Sequence, residues 1–209
     1  MKLCAASPNK FATQDDVLAF LAEATATLVL LPGSSSSTPS PQMVQSAIRD
    51  GVSVFVEGVD RKMQTTPYLV TNRTAIAMPR QVFVNDPSAR EIEELLARLP
   101  ARTFALGSRT VTFYICGELI AFNPNGHFKH GRQAPKHDII ANPAHSIMGH
   151  WNYLGKKLSA LSRKSVALYA ANNNCKNITV TTDVRIYKSG KRLNCRSQNG
   201  KLAWCECDI

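Results

Sequence analysis

The chain has 209 residues, of which 44% are apolar, and a formal charge of +10. This apolar fraction supports a packed core and argues against a disordered chain. No apolar run reaches the roughly 18–20 residues of a membrane helix, and the N-terminal segment turns polar too early for a secretory signal. We therefore expect a cytoplasmic protein without membrane contact, folded as a single domain over residues 1–209.

The positive charge is concentrated after residue 128, in segments 129–132, 156–164 and 185–192. Aromatic residues barely interleave with these basic residues, so the pattern favours a solvated face and does not predict nucleic-acid binding. The six cysteines, at positions 4, 116, 175, 195, 205 and 207, lack the spacing of a disulfide framework. We expect them to be free thiols.

The first part of the chain predicts strands that alternate with helices. The predicted strands are 2–7, 27–31 and 52–59, and the helices run from Asp15 or Asp16 to about 24 and from Pro41 to near 51. Ser40 is the expected cap of the second helix, with Pro41 at its first position. Strands separated by helices imply parallel neighbours in one sheet.

The middle of the chain predicts antiparallel pairs. Segments 68–77 and 81–84 are interpreted as two strands, followed by a helix over 91–98 and a hairpin of 103–106 with 110–115. Residues 123–136 are predicted to form a loop. A strand over 138–141, a helix over 151–164 and a strand over 165–171 follow. The last strands are 184–187 and 202–207, joined through the turn at 188–191.

Four phrases in this order resemble the nitrilase (carbon–nitrogen hydrolase) superfamily. GSRTVTFYICGEL is similar to the strand that delivers the family's nucleophilic cysteine, and DIIANPAHS to the strand and Asn-Pro turn that follow. KLSALSRKSVALYAANNN resembles the next helix and strand, and VRIYKSGKRL with WCECDI the closing hairpin. The resemblance implies an α/β fold, a nitrilase-like four-layer α-β-β-α sandwich with mixed sheets, and a homodimer.

The resemblance also implies a chemistry. A cysteine attacks an amide or nitrile carbon, a glutamate acts as general base, a lysine stabilises the oxyanion, and a thioester forms. Cys116 matches the nucleophile. Gly33 stands where the family has its glutamate, and Arg80 stands where it has its lysine. No metal or organic cofactor is implied, and the expected ligand is a small amide-type molecule.

Two carboxylates are candidates to replace the missing glutamate. Glu57 lies near the C-terminal end of the strand 52–59, which is predicted to run parallel to, and near, the strand before Gly33. Glu118 follows Cys116 by two residues, where it can also orient the sharp turn expected at the cysteine or a substrate amine. Asn142 and His145 lie in the segment NPAHS that follows the strand 138–141, and His145 falls on the side of the predicted pocket. We interpret both, with Gly33, as substrate-binding residues.

Metal and nucleotide sites are not predicted. His127, His130 and His137 share one loop, and His145 and His150 flank HSIMGH, but neither set has the spacing of a zinc site. No Gly-rich phosphate loop or G-x-S-x-G motif occurs. Two hypotheses stay open at this point: a divergent amidase-like hydrolase that uses Cys116, and a catalytically inactive nitrilase-fold protein that binds a small ligand or protein partner.

Overall fold

The computed structural model describes residues 1–59, 64–145, 151–172 and 182–209. His150 and Cys175 lie outside these residues. The strands are β1 (Lys2–Pro8), β2 (Leu28–Leu30), β3 (Ser53–Val59), β4 (Thr65–Val70), β5 (Ala75–Ala77), β6 (Thr103–Leu106), β7 (Arg109–Phe113), β8 (Ile139–Ala144), β9 (Val166–Asn172), β10 (Thr182–Lys188), β11 (Lys191–Arg192), β12 (Arg196–Gln198) and β13 (Leu202–Asp208). The α-helices are α1 (Gln14–Glu23), α2 (Pro41–Ala47), α3 (Ala89–Arg98) and α4 (Trp151–Leu161).

The described strands form two mixed sheets. The first has the order β12-β13-β1-β2-β3-β4-β5 and the second the order β11-β10-β9-β8-β7-β6. The neighbours β1, β2 and β3 are parallel, as are β7, β8 and β9. The carboxyl ends of parallel strands meet at one edge, so the residues after β2 and β3 lie together in the first sheet and those after β7 and β8 in the second. A hydrogen bond from the Gly33 N–H to the Ala144 carbonyl oxygen brings these two edges to the same end of the molecule.

Helix starts follow local capping chemistry. Ser40 caps α2, and Pro41 is its first residue, as predicted. Helix α1 begins earlier than predicted, because Thr13 caps it and forms a capping box with Asp16. Ser88 and Glu91 form a second capping box at the start of α3.

Two predicted strand pairs are wrong. Segment 68–77 does not form one strand: β4 and β5 pair with each other, and 81–84 is not a strand. The backbone N–H of Val82 instead donates to the Glu118 carboxylate, 2.7 Å away. The predicted strands 184–187 and 202–207 do not pair with each other. Strand β10 pairs with β9 in the second sheet, and β13 pairs with β1 in the first. The turn at 188–191 therefore leads only into the short strand β11.

The apolar core lies in three layers. The inter-sheet layer contains the stacked rings of Phe55 and Phe113, with centroids 5.3 Å apart. A second layer joins the first sheet to α1 and α2 through Leu21 and Val44, and a third joins the second sheet to α3 and α4. The order helix–sheet–sheet–helix confirms the predicted α-β-β-α sandwich.

The prediction of free thiols is wrong for one pair of cysteines. Cys195 and Cys205 form a disulfide with a Cα–Cα distance of 5.0 Å. The pairing follows from the sheet, because Arg196 on β12 is the register partner of Cys205 on β13. Cys4, Cys116 and Cys207 are free.

None of the described helices is both long and apolar enough to cross a membrane.

Candidate active site

Cys116 lies on a sharp turn after β7. It has a φ of 47° and is the first residue of a 3-10 helix, Cys116–Ala121. A non-glycine residue with positive φ is uncommon and marks a backbone that the surroundings hold in place. The residue after Cys116 must be glycine, because a Cβ at position 117 would lie 2.9 Å from the Val84 carbonyl oxygen. The side chain of Cys116 is therefore presented at the end of the sheet, half-exposed.

Asn142 holds the turn from the neighbouring strand. Its side-chain amide donates to the carbonyl oxygens of Tyr114 and Cys116, the latter at 3.0 Å. The residue is completely buried. These bonds place Asn142 in the support of the turn, and the substrate contact that the sequence predicts for it stays a prediction.

Glu118 holds the turn from within. Both it and Arg102 are fully buried, and the Arg102 guanidinium donates to the carboxylate at 2.6 Å. The carboxylate also accepts from the backbone N–H of Ile115 at 2.8 Å and from Val82. Burial raises the pKa of Glu118 even though Arg102 opposes the shift. These bonds place Glu118 in the support of the turn, engaged with Arg102 and two backbone groups.

His145 connects Cys116 to Glu57 across the two sheets. Its Nε2 lies 2.5 Å from the Glu57 Oε2, and the Cys116 side chain is close enough to the same imidazole to raise its pKa. Glu57 is buried, and its Oε2 also accepts from the backbone N–H of Ser34 at 2.8 Å. The arrangement is a nucleophile, an acid–base group and an orienting carboxylate in one row.

Gly33 makes room for this histidine. A Cβ built at Gly33 would lie 2.5 to 2.8 Å from three ring atoms of His145, a separation that Cβ atoms do not tolerate. The Gly33 N–H donates to the carbonyl oxygen of Ala144 at 3.1 Å, which fixes the two strand ends together. The imidazole thus occupies the space that any side chain at position 33 would need.

The surroundings of His145 favour its charged form. The hydrogen bonds to Cys116 and to Glu57 raise the pKa of His145 from 6.5 to about 10, against the opposing effect of burial. The imidazole is therefore protonated at neutral pH. A cation beside a thiol is the setting in which reactive cysteines occur.

Arg80 points along the edge of the first sheet. Its guanidinium is exposed and donates to the side chains of Gln64 and, at 3.3 Å, Thr66. Its carbonyl oxygen accepts from Arg98 and Arg102. A cavity of about 750 Å³ lies beside this edge, lined by Glu57, Thr66 and the serine-rich loop that starts at Ser34.

Asn172 lies beside this site, although the sequence patterns described above do not single it out. It ends β9 next to His145, because Ala171 pairs with Ala144, and it shares the inter-sheet face of Leu168 and Ala170. The residue is 2% exposed, and among the described residues neither its Oδ1 nor its Nδ2 has a hydrogen-bond partner. A ligand group with one donor and one acceptor, such as a carboxamide, would satisfy both atoms. The asparagine run that closes this strand was the available signal.

The histidines of the loop do not converge. The His130 ring bonds the Pro87 carbonyl oxygen, and His137 is half-buried against Tyr114, where desolvation lowers its pKa to about 4. Among the described residues, no group of three or more His, Cys, Asp or Glu side chains is arranged to hold a metal ion.

Sequence comparisons find no match. No family model matches the chain, and no curated protein matches it either.

Solved structures do match, over nearly the whole chain. XC1258 from Xanthomonas campestris, a CN-hydrolase superfamily protein with an arsenic adduct in its active site, has a TM-score of 0.59 and 13% identity, covering 100% of this chain and 91% of that one. An amidase from Nesterenkonia sp. has a TM-score of 0.60 and 13% identity, covering 98% and 90%. A cysteine-to-alanine mutant of the amidase from Nesterenkonia sp. AN1, in complex with butyramide, has a TM-score of 0.56 and 14% identity, covering 98% and 90%.

The order of layers, the two mixed sheets and these superpositions agree with one another. The chain has the fold of the CN-hydrolase, or nitrilase, superfamily.

Proposed function

We propose that the protein is a divergent member of this superfamily that hydrolyses carbon–nitrogen bonds of small amides through a thioester on Cys116. The observation that carries the proposal is the position of the His145 imidazole, which hydrogen-bonds Glu57 and has its pKa raised by the neighbouring Cys116 as well as by Glu57. Structures of the Nesterenkonia amidase that carry acrylamide or an acetamide group on the active-site cysteine support the choice of reaction class.

The first half of the reaction forms the thioester. The Cys116 thiolate attacks the carbonyl carbon of the amide, and a C–S bond forms as the carbonyl becomes an oxyanion. The His145 imidazolium then gives its proton to the amide nitrogen, so the C–N bond breaks and ammonia or an amine leaves. Glu57 keeps the ring aligned and stabilises its charged form.

The second half releases the acid. The imidazole, now neutral, takes a proton from water, and the resulting hydroxide adds to the thioester carbon. The C–S bond breaks and returns the sulfur as thiolate, His145 keeps the proton, and the product is a carboxylic acid. The general base is therefore a histidine held by Glu57, in place of the glutamate that the resemblance implies.

The reactivity of the thiol tests this arrangement. We expect iodoacetamide at pH 7 to alkylate Cys116 faster than the half-buried Cys207. The replacement His145→Ala should lower the alkylation rate of Cys116 by at least about tenfold. The reason is that an unassisted thiol is only a few per cent thiolate at this pH. Peptide mass spectrometry measures both rates in the same sample.

The exposed His127 provides the matched control. His127→Ala leaves the rate at Cys116 unchanged, while Glu57→Gln lowers it less than His145→Ala does. Equal rates at Cys116 and Cys207 in the unmodified protein would contradict the proposal. So would the absence of an acyl adduct on Cys116 after incubation with activated esters and amides, and that result would favour the inactive, ligand-binding alternative.

The homodimer that the resemblance implies stays a prediction. Sedimentation equilibrium tests it, and a monomer across the micromolar range would contradict it.

A further inference from the structure

A cavity of about 560 Å³ lies on the outer side of the second sheet, beneath the 3-10 helix that Cys116 begins. Its wall comes from that helix, from the loop before α3, from the 3-10 helix at Lys129–Gly131 and from α4. The apolar part of the wall is formed by Val84, Leu119, Ile120, Tyr153 and Leu154. A volume of several hundred Å³ with a mostly apolar wall is typical of small-molecule sites.

A buried ammonium group belongs to this wall. Lys157 is 2% exposed, and its Nζ lies 4.4 Å from the centre of the Tyr153 ring. Among the described residues, the Leu119 carbonyl oxygen at 3.2 Å is the hydrogen-bond acceptor of this group. An ammonium has three donors, so the remaining two are available to a ligand in the cavity.

In the described part of the chain, no acidic group forms an ion pair with Lys157. The charged neighbours in the wall are Lys129 and Asp86, and they form an ion pair with each other. Asp86 is mostly exposed. The pKa of Lys157 is lowered to about 8, first by burial and then by the charge of Lys129, which outweighs that of Asp86. A buried cation without a compensating anion is costly, and an anionic ligand would remove that cost.

We propose that this cavity binds a small carboxylate with an apolar tail, with the carboxylate at Lys157 and the tail against Val84, Leu119 and Tyr153. The chemistry of the wall selects both ends of such a ligand. The buried ammonium donates to the carboxylate oxygens, and the apolar residues remove the tail from water. Because Leu119 and Ile120 follow Cys116 in one 3-10 helix, the bound ligand contacts the element that carries the proposed nucleophile.

Titration calorimetry with octanoate as the probe tests the proposal. We expect saturable binding at pH 7 that weakens as the pH is raised to 9, since Lys157 then loses its charge while octanoate keeps its own. Octylamine, which has the same tail and the opposite charge, binds at least tenfold more weakly. The replacement Lys157→Met lowers the affinity for octanoate at least tenfold. Lys156 is an exposed neighbour on the same helix, and Lys156→Met leaves this affinity unchanged.

A second variant guards against misfolding of the buried replacement. Val84 is 64% exposed at the mouth of the cavity, so Val84→Asp leaves the core intact and weakens octanoate by charge repulsion. The proposal is overturned if octanoate does not saturate the unmodified protein. It is also overturned if the Lys157→Met protein binds octanoate, or the unmodified protein binds octylamine, as tightly as the unmodified protein binds octanoate. It is also overturned if Val84→Asp converts a dimer to a monomer in sedimentation, because the cavity would then be covered by a second copy.

Discussion

At the scale of single residues, Gly33 and His145 explain each other. Position 33 carries glutamate in the superfamily that the sequence resembles, and its loss here suggests a lost base. The structure places the His145 ring against Gly33, where a side chain would collide with it. Glycine at this position is therefore what allows the imidazole to lie between Cys116 and Glu57.

This pairing makes a prediction for Gly33. We expect Gly33→Ala to slow the alkylation of Cys116 by iodoacetamide at least about tenfold, because the new Cβ forces the His145 ring away from the thiol. We expect Gly33→Glu to slow it as well, since the carboxylate has no space while the imidazole is present. The sequence alone suggests the opposite, namely that Glu at position 33 restores activity.

The control for this substitution is Gly200→Ala. A Cβ at Gly200 meets nothing within 4 Å, so the alkylation rate of Cys116 should not change. A Gly33→Ala protein that is alkylated as fast as the unmodified protein would show that the ring position does not depend on Gly33.

At the scale of elements, the turn at Cys116 is fixed by groups from several parts of the chain. Arg102 follows α3, Asn142 belongs to β8 and the backbone of Val82 belongs to the loop after β5. Each bonds the turn or Glu118 within it. A positive φ at a non-glycine residue costs free energy, and this set of bonds is what offsets it.

The buried ion pair gives a prediction at this scale. Arg102→Met should lower the free energy of unfolding by about 3–5 kcal/mol, because it leaves the Glu118 carboxylate buried without its cation. Arg102 and Glu118 are both 0% exposed, so solvent cannot replace the lost partner. Urea denaturation followed by circular dichroism measures the change.

An exposed ion pair serves as the comparison. Arg132 pairs with Glu93 at the surface, and Arg132→Met should change the free energy of unfolding by less than about 1 kcal/mol. If Arg102→Met is as mild as Arg132→Met, the buried pair does not support the turn. The double replacement Arg102→Met/Glu118→Gln should recover part of the loss, since no charge is then left buried.

At the scale of the whole molecule, the site depends on two sheets that face each other. Glu57 lies near the end of β3 in the first sheet and His145 follows β8 of the second, 88 positions later. The inter-sheet core, with Phe55 stacked on Phe113, sets the separation of the sheets. The contact between Glu57 and His145 is therefore lost when the two sheets separate. It contributes to the free energy of global unfolding.

The stability of the fold should consequently depend on the protonation of His145. Its pKa is about 10 in the folded protein and 6.5 in its ordinary state, so the folded state binds the proton more tightly. The resulting stabilisation is complete below about pH 6.5 and is lost as the pH rises to about 10. Lys157, whose pKa is lowered to about 8, contributes with the opposite sign, so the native curve alone does not isolate His145.

A comparison with His145→Gln isolates this effect. The difference in the free energy of unfolding between the native protein and His145→Gln should be largest near pH 6 and should shrink steadily toward pH 10. Urea denaturation at several pH values measures it, and His127→Gln serves as the exposed control with a constant difference. A constant difference for His145→Gln would contradict the raised pKa.

Local patterns in the sequence determined most of the elements. Apolar periodicity and capping residues such as Ser40 predict α2, and Gly107 with Ser108 predicts the β6–β7 hairpin. These features are encoded within a few residues of one another, so no tertiary information is needed. The strand predicted over 81–84 is wrong because its conformation depends on a distant residue. The carboxylate of Glu118 accepts from the backbone N–H of Val82, which a neighbouring strand would otherwise bind.

The sequence by itself also singled out Cys116 and the layered fold, since an ordered set of strand-end phrases carries both. It named Glu57 and His145 separately, as a replacement base and as a substrate contact. Only the tertiary structure decided that they meet, because strand ends from two sheets come together through packing of the inter-sheet core. It likewise decided that Gly33 makes space for the imidazole, that Glu118 is held by Arg102, and that Cys195 bonds Cys205, since each depends on a partner whose position in space the sequence does not state.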